Sequence, residues 1–92
     1  MKKITMFHGR ECPHCHIMQH IVDKLIEEGA NIEKLEVWHD ENNAKEMRKF
    51  SEVIMPVCGG DLGVPAFLDK EGNRAICGEL SYIELKEWIN KE

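Results

Sequence analysis

The chain has little basic charge: 12 Lys and Arg stand against 17 Asp and Glu, for a net charge of −5. Its longest basic run is Lys2-Lys3, so the basic patch of a phosphate-coating nucleic-acid binder is missing. No apolar run approaches the ~20 residues needed to span a bilayer. The stretch Met1–His8 starts basic but lacks the apolar core of a secretory signal. Repeats, low-complexity tracts and linkers are lacking too. These absences lead to the expectation of a soluble, cytoplasmic, monomeric protein with neither nucleic acid nor membrane among its partners. Length is also short: 92 residues leave room for one domain over 1–92. With 42% hydrophobic and 32% charged residues, the composition is that of a folded globular chain and not a disordered one.

What is present is cysteine: Cys12, Cys15, Cys58 and Cys77. An even count in a short chain can mark a disulfide-stapled secreted fold, but the absence of an export signal argues against that here. Two of the four form Cys12-Pro13-His14-Cys15. In a reducing compartment such a pair is more often reactive or metal-binding than structural.

The periodicity predicts seven elements. Lys3–Phe7 is β-branched and apolar enough for a buried strand. From Pro13 the period becomes helical, with Ile17, Met18, Ile21, Val22, Leu25 and Ile26 on one face and Gly29 as the stop. Cys15 extends that stripe and Cys12 falls outside it, so Cys12 is expected exposed and Cys15 half-buried. Glu33–Trp38 reads as a second strand. Asn43 with Glu46 resembles a capping box opening a helix through Ala44, Met47, Phe50 and Ile54 to Pro56. Residues 57–63 read as a loop. Residues 66–69 and 74–77 flank a Gly-containing turn as a hairpin, and Ser81 with Glu84 opens a last helix with Tyr82, Leu85, Trp88 and Ile89 inward. The order β-α-β-α-β-β-α implies an α/β fold with a mixed four-stranded sheet and three helices covering it.

With that order, Met6–Cys15 resembles the strand-to-dithiol segment of glutaredoxins, and Gly63–Phe67 resembles the proline loop that faces the dithiol in the thioredoxin-like superfamily. The likeness extends over essentially the whole chain. It implies a thioredoxin-like fold, a thiol–disulfide oxidoreductase activity with no bound cofactor, and a cis Val64–Pro65 bond whose Val64 backbone pairs with an extended substrate. The implied partners are a disulfide-containing protein substrate and an upstream reductant, either thioredoxin reductase-like or a small thiol. Met6 stands where thioredoxins carry a buried acid, and Glu11 where they carry Trp, which moves the chain toward a glutaredoxin-sized relative. Arg10 and the turn Gly78–Ser81 match the glutathione-binding pattern of glutaredoxins only in part.

The residues themselves point the same way. A thiolate is the nucleophile in disulfide exchange. Cys12 at a helix N-terminus meets unpaired N–H groups and the positive dipole end, which favour an anion. Pro13 suits the first turn because its missing N–H loses no helix bond. Cys12 is thus the expected nucleophile and Cys15 the resolving thiol. His14, between them, is expected to stabilise the Cys12 thiolate and make the disulfide more oxidising.

A rival reading is a soft-metal module. His8, Cys12, His14, Cys15, His16 and His20 fall within thirteen residues and could hold zinc, copper or, between two chains, an iron–sulfur cluster. Against it, His16 and His20 lie one turn apart on the polar face of the helix, and Cys58 and Cys77 are single. Cys58 is left open as a third redox thiol, a metal ligand or a plain loop residue. Cys77 is expected to be buried apolar filler. The run Trp38-His39-Asp40 is assigned to packing and capping.

Overall fold

The computed structural model describes residues 2–91. Met1 and Glu92, the ends of the expected domain, lie outside the described residues. The elements are β1 (Lys3–His8), α1 (Pro13–Glu27), β2 (Asn31–Glu36), α2 (Glu41–Arg48), α3 (Ser51–Ile54), a 3-10 turn (Met55–Val57), β3 (Ala66–Asp69), β4 (Arg74–Cys77) and α4 (Tyr82–Asn90). The sheet order is β2-β1-β3-β4, with β1 parallel to β2 and antiparallel to β3, and β3 antiparallel to β4. This is the mixed four-stranded sheet that the periodicity predicts.

Alternation along the strands sends side chains to two cores. On one side Ile4, Met6 and Phe67 pack under Met18, Val22 and Leu25 of α1 and Leu85 of α4. On the other, Phe7, Ala66 and Leu68 pack with Met47 of α2 and Ile54 of α3. The sheet is therefore sandwiched between two helical layers, and central β1 is buried on both faces from Ile4 to Phe7.

Three local expectations are corrected. In α1 the buried stripe is Cys15, Met18, Val22 and Leu25. Ile17 and Ile26 lie about 100° off it and are exposed, Ile17 at 53%. The second strand starts and ends two residues earlier than Glu33–Trp38. Its parallel register on β1 runs from Lys3↔Asn31 to His8↔Glu36, and the Glu36 carboxylate then accepts the amides of Trp38 and His39 and bends the chain away. The middle helix is capped by Asp40, not Asn43: the Asp40 carboxylate accepts the amides of Asn42 and Asn43. Asn43 instead donates its side-chain amide to the Glu36 carbonyl, 3.0 Å away. That helix is also two helices. Phe50 leaves helical geometry at φ −110°, ψ 24° and packs its half-buried ring against the core, and Pro56 sits within the 3-10 turn. The fourth helix of the fold arises from this break.

Candidate active site

The site forms where β1 hands over to α1. Cys12 is the N-cap of α1, with Pro13 in the first helical position. Extended backbone at Cys12 (φ −83°, ψ 112°) aims its sulfur at the open end of the helix, where it accepts the Cys15 N–H at 3.1 Å. The N-cap position taken elsewhere by Ser or Asp oxygen is thus filled by sulfur. The Cα atoms of Cys12 and Cys15 are 5.2 Å apart, with their sulfurs at disulfide distance. The two cysteines sit one turn apart, as their spacing predicts.

Their burial differs from expectation. Cys12 is only 3% exposed and Cys15 is fully buried. Cover comes from the loop before β3: the Val64–Pro65 bond is cis, and the Val64 carbonyl oxygen lies 3.9 Å from the Cys12 sulfur. Pro65 is buried beneath. The fold thereby brings Cys12, Pro13, Cys15, Val64 and Pro65 together from two distant segments.

His14 is placed differently. Its ring is exposed and its Nδ1 meets a carboxylate oxygen of Glu79 at 2.9 Å, in the turn between β4 and α4. Glu79, not a sulfur, engages that nitrogen. The histidine-rich stretch likewise disperses: His16 Nε2 lies 2.6 Å from the Arg10 carbonyl, and His20 stands on the exposed face of α1. Among the described residues no group of three His, Cys, Asp or Glu side chains is placed to hold a metal ion. The soft-metal reading is not favoured.

Sequence reasoning missed the residues that hold the Gly9–Glu11 turn leading into Cys12. Glu36 accepts the Arg10 amide at 2.9 Å as well as those of Trp38 and His39. Desolvation works against its charge, yet these three amides hold its carboxyl below the ordinary value. Next to it, Glu11 Oε1 lies 2.7 Å from His39 Nε2, and that hydrogen bond lowers the Glu11 carboxyl. Trp38 lays its indole on Gly9, so closely that a Cβ there would overlap the ring. No spacing rule links Gly9–Glu11 to 36–39; parallel pairing of β1 with β2 does. Cys77 is also corrected: it is half-buried, and its sulfur lies at disulfide distance from that of Cys58.

Comparisons with known proteins bear on the fold. No family model and no curated protein sequence matches the chain. Among solved structures that match is glutaredoxin (grx-1) from Archaeoglobus fulgidus, with a TM-score of 0.66 and 22% identity over 99% of this chain and 89% of that one. A buried cysteine pair at a helix start, faced by the proline loop before the neighbouring strand β3, thus sits on a thioredoxin-like fold similar to that of this archaeal glutaredoxin.

Proposed function

We propose that the protein is a thiol–disulfide oxidoreductase that exchanges electrons between the Cys12/Cys15 dithiol and protein or small-molecule disulfides. The observation that carries this reading is the Cys12 sulfur in the N-cap position of α1, accepting the Cys15 N–H. A hydrogen bond to an anion is stronger than one to a neutral acceptor, and the helix dipole adds to it. Both favour the Cys12 thiolate over its thiol, which makes it the attacking and the leaving sulfur of choice.

The reaction then runs in two displacements. The Cys12 thiolate attacks one sulfur of a substrate disulfide, forms a mixed disulfide and releases the other substrate sulfur as a thiolate. Cys15, one turn away, gives up its proton and attacks the Cys12 sulfur, closing the internal disulfide and releasing the second substrate thiolate. Two electrons have passed to substrate, and an upstream reductant, a small thiol or a thioredoxin reductase-like protein, returns them. In the other direction the closed pair oxidises a substrate dithiol. Val64 and Pro65 provide the surface on which an extended substrate lies beside Cys12, and Pro13 starts the helix whose N-terminus tunes the pair, with His14, turned to Glu79, contributing little. A reducing compartment such as the cytoplasm suits the reductive direction.

Single-cysteine variants test this. Cys15→Ser retains the nucleophile without the resolving thiol, so with a peptide disulfide it accumulates a mixed disulfide visible by mass. Cys12→Ser accumulates none. Equal trapping by both variants, or trapping by neither, overturns the assignment.

A further inference from the structure

Cys58 and Cys77 take no part in the exchange just described, and they lie 19 residues apart in sequence. The fold pairs them. Cys58 closes the 3-10 turn after α3; Cys77 ends β4, opposite Ala66 in the ladder. Their Cα atoms are 5.3 Å apart, within the 4.4–6.8 Å of ordinary disulfides.

What lies between them gives the pair its meaning. Both sulfurs sit 3.8 Å from the Gly63 carbonyl oxygen, and Gly63 directly precedes Val64, whose own carbonyl faces Cys12. The second pair thus grips the proline loop one residue from its contact with the dithiol. The loop needs a grip. Gly59 and Gly60 adopt left-handed φ of +78° and +95° with open space around them, and glycine there loses the most backbone freedom on ordering. Gly60 is tied back to the Met55 carbonyl, and Leu62 donates to the Asp61 side chain. Leu62 and Val64 pack against the core that also takes Ala75 of β4, and the ties to the end of β4 are the Gly78 amide on the Pro65 carbonyl at 2.8 Å and the cysteine pair. Both cysteines are half-buried and not sealed in the core.

We infer that Cys58 and Cys77 are a second redox pair whose disulfide clasps the loop from Gly59 to Val64 onto the end of β4. Closure consumes a low-molecular-weight disulfide of the glutathione type. One cysteine thiolate attacks it and releases one small thiol, and the other cysteine attacks the resulting mixed disulfide and releases the second. Two electrons and the two cysteine protons leave with the small thiols. Opening is the reverse, with two small thiols as reductant. A consequence for Cys12, resting on the function proposed above, is that the clasp governs how firmly Val64 is presented to a bound disulfide.

The test isolates the second pair in a Cys12→Ser/Cys15→Ser chain equilibrated in mixtures of reduced and oxidised glutathione. After acid quench and alkylation, intact mass reads zero or two adducts with no plateau at one. Amide hydrogen exchange of residues 59–64 is at least tenfold faster in the reduced chain than in the oxidised one, while β1 is unchanged. Cys58→Ser/Cys77→Ser shows the fast rate in every mixture. Wild-type protein, differentially alkylated and peptide-mapped, gives the same pairing should the double serine variant fail to fold. Two free thiols in every mixture, separate glutathione adducts on each cysteine, or equal loop exchange in both states overturns the inference. None of these readouts requires the chain to exchange substrate disulfides, so failure of the Cys15→Ser trap and failure of the clasp are distinct results.

Discussion

At the residue scale, Cys12 and His14 show how two neighbours in sequence diverge in space. Cys12 turns into the helix end and receives the Cys15 N–H; His14, one step into the helix, turns outward to Glu79. The tuning of the Cys12 thiolate therefore falls mainly to the backbone. His14→Val is expected to lower the reduction potential by less than the ~30 mV that ~1.4 kcal/mol represents for a two-electron couple, with a correspondingly small change in the pH dependence of Cys12 alkylation. Redox titration against glutathione and rate-versus-pH profiling measure the two. A larger drop, together with a raised Cys12 pKa, would put the imidazole on the sulfur in the reduced protein. The placement of Cys12 and Cys15 was legible because it depends on local order: a cysteine before a proline at a helix start defines both the cap and the one-turn step. The partner of His14 was not legible, since Glu79 stands 65 positions away and only the closing of β4 onto the sheet brings it near.

At the scale of elements, the turn leading into Cys12 is held by a junction between the ends of β1 and β2. Glu36 gathers three amides, and Trp38 covers Gly9. Gly9→Ala puts a methyl group into the indole, so either the ring or the Gly9–Glu11 segment must move. Overpacking typically costs about 1–3 kcal/mol, and the half-exposed Trp38 can swing out, which places the expected loss toward the lower end. Urea denaturation measures it; an unchanged midpoint would show that the indole makes no defining contact there. This junction escaped sequence reasoning because its members belong to different elements. The opposite case is α4, where the Ser81–Glu84 capping box is formed in full, since both of its hydrogen bonds lie within one turn. Between these extremes stands the middle of the chain. The apolar spacing of Ala44, Met47, Phe50 and Ile54 correctly marks a helical layer, yet periodicity alone does not register that Phe50 leaves the helix to reach the core.

Over the whole molecule, the order of elements and the mixed four-stranded sheet followed from period and connection length, because a parallel β-α-β unit and a hairpin admit few arrangements. The pairing of Cys58 with Cys77 did not, being a product of the finished sheet. The same holds for Asp69, which ends β3 fully buried and joins the hairpin to both ends of the described chain. Its carboxylate accepts the Gly72 amide and Arg74 Nε, each at 3.0 Å, and lies 3.4 Å from Lys2 Nζ; Lys2 and Arg74 both donate to the Lys91 carbonyl. Burial opposes ionisation of Asp69, but the Gly72 amide, Lys2 and Arg74 outweigh it and hold the carboxyl below its ordinary value of 3.8. His8, at the end of β1, is also lowered from 6.5, chiefly by desolvation and against the attraction of Glu36. Both depressions have the same sign in linkage: the unfolded chain takes up the proton first as pH falls, so folding weakens. The His8 contribution is complete above about 6.5 and declines below it until the folded histidine also protonates. That of Asp69 is complete above the ordinary carboxylate range and is lost as pH falls through the depressed folded value. Stability of the oxidised protein should therefore fall in two stages, one below neutrality and one in strong acid. His8→Gln flattens the first stage alone. Asp69→Asn reduces the second, whose remainder belongs to Glu36, Glu11 and the other carboxyls held low, and, by leaving Lys2 and Arg74 without their shared anion, lowers stability at pH 7 by about 1–3 kcal/mol. Urea midpoints at several pH values from neutral to strongly acidic read both effects, and an Asp69→Asn curve parallel to wild type throughout would remove the Lys2–Asp69–Arg74 junction from the forces that hold the fold.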